Sequence, residues 1–170
     1  FMVNNFFKKN YFVRPVFNFF IKKFIENSRQ WSLVSGSYHT KISMGLLNLY
    51  EVTKNYQYLK YSKKILDNYL KKQKKSGEFL STKTSINFHP LCYTAEGYWS
   101  CGKFLGNKKY QEASIKTTKW ILKNTLLNGA VPRLKISKKF VYHERVDILS
   151  QVLRLVILNF PKLNLNKIEK

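Results

Sequence analysis

The chain has 170 residues, which is room for one ordinary domain whose core needs no disulfide bonds for stability. Its 31 Lys and Arg residues against 9 Asp and Glu residues give a formal net charge of +22, which attracts polyanions but specifies neither fold nor chemistry. The sequence lacks the ~18 consecutive apolar residues of a membrane-spanning helix and the Cys/His spacing of a zinc site, so we expect no transmembrane segment, no metal and no cofactor.

Residues 1–30 are a basic, aromatic segment that we predict to be helical and to pack on the rest of the fold. Asn and Lys residues and Pro15 interrupt its apolar runs, so it lacks the uninterrupted apolar centre of a secretory signal. A helix lying on a membrane surface is the alternative. The chain starts without Met and ends in KLNLNKIEK, which reads like the opening of another helix. We therefore expect it to be part of a longer protein.

Residues 31–170 contain a self-similar pattern with a period of about 52 residues. Shifted by 52 positions, residues 45–70 fall without a gap on residues 97–122, and the dipeptide Tyr-His at 38–39 recurs two periods later at 142–143. Such a period is typical of folds built from repeated units. We predict three helical hairpins, over residues of about 38–74, 90–126 and 142–170.

The two helices of each predicted hairpin differ in character. The second helix of the first hairpin places Tyr58, Ile65 and Tyr69 on one face at helical spacing, with lysines largely on the other face. The first helices, in YHTKISMGLLNLYEVT and HPLCYTAEGYWSCGKFL, carry small residues and little charge, as helices enclosed by neighbours do. We therefore predict an all-α fold with an inner and an outer ring of helices. In the return before the third hairpin, the alternation in VPRLKISKKFVY predicts a two-stranded hairpin or an extended lid.

Three stretches of the sequence resemble microbial polysaccharide-biosynthesis proteins of the α/α-toroid superfamily, which also contains six-hairpin glycosidases, uronate hydrolases and lyases, and sugar epimerases. The stretches are GSYHTKISMGLLNLYEVTKNYQYLK, FHPLCYTAEGYWSCGKFLGNKKY and RVDILSQVLRL, and the resemblance covers about residues 31–158. It implies an (α/α)6 toroid, a ring of about six hairpins. This sequence supplies about three, so we expect part or half of a toroid. The resemblance also implies a poly- or oligosaccharide as the partner molecule, and the remaining half of the toroid or another protein as a further partner.

The three histidines of the chain all lie at predicted starts of inner helices. If these helices run in parallel, their starts meet at one mouth of the ring, which is where toroids of this resemblance bind sugars. Tyr38, Tyr142 and Arg145 lie at the same helix starts, so we expect their side chains to contribute to the sugar-binding mouth as well. The predicted substrate-binding residues are Tyr38, His39, His89, Tyr142, His143 and Arg145.

Acid/base chemistry on sugars requires two carboxylates, and Glu96 and Asp147 are the predicted catalytic pair. Apolar neighbours in CYTAEGYW suit Glu96 to the protonated, acid role. Structural roles stay open for each of these groups. Glu144 or Asp147 can stabilise a helix start through the helix dipole, Arg145 or Arg154 can pair with Glu96, and the histidines can be packing residues.

A non-catalytic role is the alternative to an enzyme. A helical-repeat scaffold with a basic outer ring would bind an acidic glycan, a lipid-linked intermediate or a partner protein. Nucleic-acid binding is less expected, because the sequence contains no recognised nucleic-acid-binding module. Cys92 and Cys101 lie nine residues apart on one predicted helix, where a disulfide cannot close. Free thiols predict a reducing, cytoplasmic location.

Overall fold

A computed structural model of the chain describes residues 36–81 and 84–161 and, before residue 36, the backbone of four short strands. The described part is mainly helical, and a 3₁₀ turn, Ser37–His39, leads into its first α-helix. The α-helices in this part are α1 (Thr40–Thr53), α2 (Tyr56–Leu70), α3 (Phe88–Phe104), α4 (Lys108–Lys123) and α5 (Val146–Asn159).

The described positions of the segment 1–30 form strands, so the helix predicted for this segment is wrong there. The strands pair in antiparallel fashion, β1 with β2 and β3 with β4. Phe, Tyr, Val and Ile favour extended backbone, and Pro15 is the first residue of a strand, where its missing N–H is tolerated. The other positions of the segment lie outside the described residues. The strands are β1 (Phe7–Lys8), β2 (Tyr11–Phe12), β3 (Pro15–Asn18) and β4 (Lys23–Glu26).

The first two predicted helical hairpins are present, and local sequence explains where their helices end and begin. Lys54 and Gly106 follow the first helix of each hairpin with left-handed φ angles of 55° and 61°, which reverse the chain within a short link. Asn55 and Asn107, 52 positions apart, then cap α2 and α4. Their side-chain oxygens accept hydrogen bonds of 3.0 and 3.3 Å from backbone N–H groups of the first turn, which satisfies donors that the helix leaves unpaired.

Helix α5 occupies the place of the first helix in the third predicted hairpin. Most of the second helix of this third hairpin was predicted in residues 162–170, which lie outside the described residues. The closed or half ring of a toroid therefore stays a prediction. None of the described helices is long and apolar enough to cross a membrane.

Helix α3 lies at the centre of the described fold, packed against α1, α4 and α5. Ala95, Tyr98 and Cys101 on this helix have no exposed surface, so α3 is enclosed as its low charge predicted. Helix α1, for which the same was predicted, is not enclosed, because Leu49 and Val52 are exposed. Burial of one large apolar side chain stabilises the fold by about 1.5–3 kcal/mol. The other large buried side chains of this core, on α3 and around it, are Leu47, Leu66, Tyr69, Phe79, Phe88, Leu91, Ile121, Ile148 and Leu155.

A small antiparallel sheet supports the start of α3. It contains β5 (Ser85–Asn87), β6 (Leu134–Ile136) and β7 (Lys139–Val141), in the order β5-β6-β7. The hairpin of β6 and β7 confirms the strand pair predicted in VPRLKISKKFVY, whereas β5 was not predicted, so the fold is mainly α and not all-α. The backbone N–H of Phe88 donates to the carbonyl of Arg133 at 3.1 Å, which fixes the first residue of α3 beside the sheet.

Helices α3 and α5 run in the same direction, which is the condition on which the predicted mouth depended. His89 lies against Asp147 and, seven residues further along both helices, Glu96 lies against Arg154. The indole N–H of Trp99 then donates to the carbonyl of Leu158 at 2.8 Å. Since contacts advance together along both helices, the two helix starts lie at the same end.

Candidate functional site

Polar side chains from α1, α3 and α5 meet along one side of α3. His89, Tyr93 and Glu96 follow each other at spacings of four and three residues, which places them on one face of a helix. Side chains from the start of α1 and from α5 contact these three. The resulting group, here named the α3 polar face, consists of Lys41, His89, Tyr93, Glu96, Arg145, Asp147 and Arg154.

Glu96 is a buried carboxylate held by two cations. Its side chain is 8% exposed, and its two oxygens lie 2.7 Å from Lys41 Nζ and 3.1 Å from Arg154 Nη2. The pairing with Arg154, one of the structural roles left open by the sequence, is confirmed. The three side chains link α1, α3 and α5. These contacts favour a charge-balancing role for Glu96 over the proton-donor role that its apolar sequence neighbours predicted.

Asp147 lies at the opposite end of the α3 polar face and is held by Arg145. The guanidinium donates two hydrogen bonds to the carboxylate, of 2.9 Å from Nε and 2.6 Å from Nη2. These bonds hold the pKa of Asp147 below its ordinary value of 3.8. Asp147 is also the acid in the first turn of α5, where the helix dipole favours negative charge.

His89 stands between Asp147 and the interior. Its Nδ1 lies 3.1 Å from Asp147 Oδ2, and its side chain is 22% exposed. Partial burial lowers the pKa of His89 below its ordinary value of 6.5, and the carboxylate of Asp147 opposes this shift without cancelling it. His89 is therefore mostly neutral at pH 7 and able to accept a proton.

Tyr93 connects the two charged ends of the face. The His89 ring meets it edge to face, with 4.5 Å between ring centroids. The ammonium of Lys41 lies 4.1 Å from the centre of the same ring, a cation–π distance. The contacts therefore run without interruption from Arg145 through His89 and Tyr93 to Lys41, and the pairing of Lys41 with Glu96 continues them.

The histidine at the start of α1 belongs to a different environment. His39 is 2% exposed, with ring centroids 4.3 Å from Tyr38 and 6.4 Å from Tyr69 at the end of α2. The backbone N–H of Gly36 donates to its Nδ1 at 3.4 Å. Of the predicted sugar-binding residues, Tyr38 and His39 thus take part in packing contacts.

The predicted residues before α5 divide between packing and surface positions. Tyr142 donates its hydroxyl to the carbonyl of Asn124 at 3.1 Å and stands against the Phe140 ring. His143 and Glu144 are exposed. Of the six predicted sugar-binding residues, the described contacts bring His89 and Arg145 to the predicted catalytic Asp147.

Lys41 was missed in the sequence, and Tyr93 was considered there as an aromatic residue near the mouth but was not among the predicted substrate-binding residues. Lys41 is the one lysine in the stretch YHTKISMGLLNLYEVT, and an isolated cation on a helix of otherwise low charge is a signal for a carboxylate partner. Tyr93 lies one helical turn from both His89 and Glu96, so helical spacing alone could have placed it.

Thiol and metal chemistry find no support in the described residues. Burial raises the pKa of the free thiols of Cys92 and Cys101 to about 12 each, so neither is a reactive nucleophile at neutral pH. Among the residues 36–81 and 84–161, no group of three or more His, Cys, Asp and Glu side chains is arranged to hold a metal ion.

No protein-family model matches the chain, and the comparisons with curated proteins and with solved structures find no match either. The toroid resemblance therefore rests on the sequence stretches that suggested it.

Proposed function

We propose that the protein takes part in polysaccharide biosynthesis by binding an acidic oligo- or polysaccharide at the α3 polar face. The observation that carries this proposal is the charge balance of the face. Three permanent cations, Lys41, Arg145 and Arg154, surround two carboxylates that are already paired. The surplus charge is positive, which favours an anionic ligand.

The exposure of the cations supports a ligand site over a purely internal network. The side chains of Lys41, Arg145 and Arg154 are 39%, 46% and 63% exposed, so a ligand can reach them. A guanidinium has five N–H donors, and Arg145 uses two of its nitrogens on Asp147, which leaves N–H groups for the carboxylate of a uronic acid. From His89 to Glu96 the helix rises by about 10 Å, enough to follow a short oligosaccharide. The sugar itself is suggested by the sequence resemblance.

Calorimetric titration with an oligouronate tests this function. We expect Arg145→Gln and Arg154→Gln to weaken binding about tenfold each, the effect of losing one charged hydrogen bond. Arg133→Gln is the matched control, because Arg133 is exposed and lies outside the face, and its affinity should stay within about twofold of the wild type. Absence of oligouronate binding at physiological salt, or an equal loss in all three variants, contradicts the proposal.

An acid/base enzyme acting on the same sugar is the second candidate, and the pairing of His89 with Asp147 favours it. His89 Nδ1 lies 3.1 Å from Asp147 Oδ2, and a histidine beside a carboxylate is a pair that can accept protons in catalysis. If the protein is such an enzyme, we expect Glu96→Gln and Asp147→Asn to keep the helical circular dichroism signal and to abolish turnover of a uronate-containing polymer. Turnover is measured by mass spectrometry of the products. Wild-type turnover in both variants would rule out the predicted catalytic pair.

A further inference from the structure

We propose that a cavity at the end of α2 is a second anion site, and that it binds a ligand carrying a diphosphate group. The cavity has a volume of about 540 Å³ and shares no residue with the α3 polar face. It is named here the α2 cavity. The described residues that line it include Tyr69, Lys71, Lys72, Lys74, Lys75 and Phe79.

The charge of the α2 cavity is concentrated in one turn. Four lysines occur within the five positions 71–75, and all four are exposed. The nearest acid in sequence, Glu78, accepts a hydrogen bond from the hydroxyl of Ser76. Four clustered cations against one carboxylate create a positive potential that a multiply charged anion neutralises better than a single charge does.

The turn that carries these lysines is fixed to α4. The side-chain amide nitrogen of Gln73 lies 3.0 and 2.9 Å from the carbonyl oxygens of Gly77 and Ala113 and 3.0 Å from the hydroxyl oxygen of Thr117, so its two N–H groups are shared among three acceptors. The backbone N–H of Lys74 donates to the carbonyl of Glu78 at 3.0 Å. A preformed turn loses little conformational entropy when a ligand binds, which increases affinity.

The chemistry of the lining selects the class of ligand. Lysine ammonium groups bind phosphate oxygens as flexible point charges, and several of them can share the charge of one diphosphate, whereas the described Arg ion pairs lie on the α3 polar face. Tyr69 and Phe79 close the base of the cavity and are each 2% exposed, so the surface open to a ligand comes mainly from the lysines. The volume is within the range of small-molecule sites. A diphosphate joined to a sugar, a nucleoside or a lipid fits this combination.

Lysines at the end of a helix also have a purely structural explanation, since cations stabilise the negative end of the helix dipole. The two roles differ in what they predict. A dipole role changes thermal stability without creating a saturable site for anions. A ligand site gives saturable binding that depends on the cavity lysines and not on lysines elsewhere on the same helix.

Titration of the full chain with inorganic pyrophosphate in 150 mM NaCl distinguishes a ligand site from a helix-dipole role of these lysines. We expect one saturable site, weakened about tenfold or more in Lys74→Gln/Lys75→Gln. The matched control is Lys63→Gln/Lys64→Gln, which removes the same charge from an exposed part of α2 outside the cavity and should stay within about twofold of wild type. A second cavity variant, Lys71→Gln/Lys72→Gln, should show the same loss, and circular dichroism verifies that each variant is folded.

Competition experiments identify the source of the diphosphate. Displacement of pyrophosphate by uridine diphosphate indicates a nucleotide sugar, and displacement by farnesyl diphosphate indicates a lipid-linked intermediate. Absence of saturable binding, equal losses in cavity and control variants, equal binding of sulfate, or failure of both competitors overturns the proposal. Oligouronate binding by the Arg145 and Arg154 variants is measured separately, so each of the two sites can fail without the other.

Discussion

His89 is the titratable residue on which three other charged side chains act. Asp147 raises its pKa, whereas Arg145 and Lys41 lower it, and partial burial is the largest effect of all. The four groups come from α1, α3 and α5, so the pKa of one histidine reports whether the three helices are correctly assembled. No other described histidine has this arrangement of contacts, since His39 packs against tyrosine rings and His143 is exposed.

We expect Asp147→Asn to lower the pKa of His89 further below 6.5. The substitution removes the negative charge that favours the imidazolium, while burial and the two cations continue to disfavour it. The shift is measured by NMR from the ring protons of His89 between pH 4 and 8. Arg145→Gln should move the pKa in the opposite direction. An unchanged or raised pKa in the Asp147 variant would mean that the two side chains do not interact in solution.

The lowered pKa of His89 also predicts how stability depends on pH. Between its folded pKa and the ordinary value of 6.5, the unfolded chain binds more protons than the folded chain, so stability increases with pH in this window. The contribution is complete above about pH 6.5 and is lost as the pH falls through the folded pKa. Urea unfolding at pH 7 and pH 5 should show a smaller loss for His89→Gln than for the wild type. Equal losses in both proteins would contradict this assignment.

Sequence reasoning at the residue scale succeeded where a contact followed from helical spacing or charge. It included Arg154 among the partners of Glu96, and it placed Asp147 near the start of a helix. It missed Lys41, because its contact with Glu96 joins positions 55 residues apart and depends on how α1 crosses α3. It also grouped His39 with His89 as substrate-binding residues, because both lie at predicted starts of inner helices and these starts were expected to meet at the mouth of the ring.

At the scale of elements, glycine determines how closely α1 and α3 approach. A Cβ atom built on Gly97 would come within 2.6 Å of the carbonyl carbon and hydroxyl oxygen of Thr40, so only a residue without a side chain fits there. Gly45, aligned with Gly97 by the 52-residue shift, has no atom within 4 Å of the same built position. The two glycines are thus equivalent in sequence and opposite in their surroundings.

We expect Gly97→Ala to destabilise the fold by about 1–3 kcal/mol, the usual cost of forcing extra volume into a packed interface. Gly45→Ala should stabilise it by up to about 1 kcal/mol, because alanine is the better helix former and nothing obstructs it. The free energy of unfolding in urea measures both changes. A neutral effect at Gly97 would show that α1 shifts easily on α3 and that their contact is loose.

Elements with strong local signals were predicted well from the sequence, and the others were not. The first two hairpins have helical periodicity, an Asn cap and a residue with left-handed φ, all encoded within a few positions. Strand β5 has three residues and depends on pairing with β6, nearly 50 residues later in the chain. The segment 1–30 combines apolar and basic residues without clear periodicity, and its described strands formed where a helix was predicted.

At the scale of the whole molecule, charge repulsion opposes folding. Three exposed lysines, Lys60, Lys63 and Lys64, lie within one turn of each other on α2, and like charges at this spacing destabilise a helix. The described ion pairs of the α3 polar face act in the opposite direction. The partly exposed pairs of Asp147 contribute only about 0–1 kcal/mol each, and the pairs of Glu96 must first offset the desolvation of a buried carboxylate. With a net charge of +22, we expect repulsion to dominate.

Added salt should therefore stabilise the protein, because screening weakens repulsion among many exposed cations more than it weakens a few short ion pairs. We expect the melting temperature to increase by a few degrees between ~20 and ~500 mM NaCl, equivalent to about 1 kcal/mol. Lys63→Glu/Lys64→Glu should raise the melting temperature at low salt and reduce its dependence on salt, and Lys63→Gln/Lys64→Gln should lie between this variant and the wild type. The added salt is a chloride and not a phosphate or diphosphate salt, because a diphosphate would also bind the α2 cavity and stabilise the protein there. A melting temperature that falls with salt would mean that the ion pairs among α1, α3 and α5 contribute more to stability than the repulsion removes.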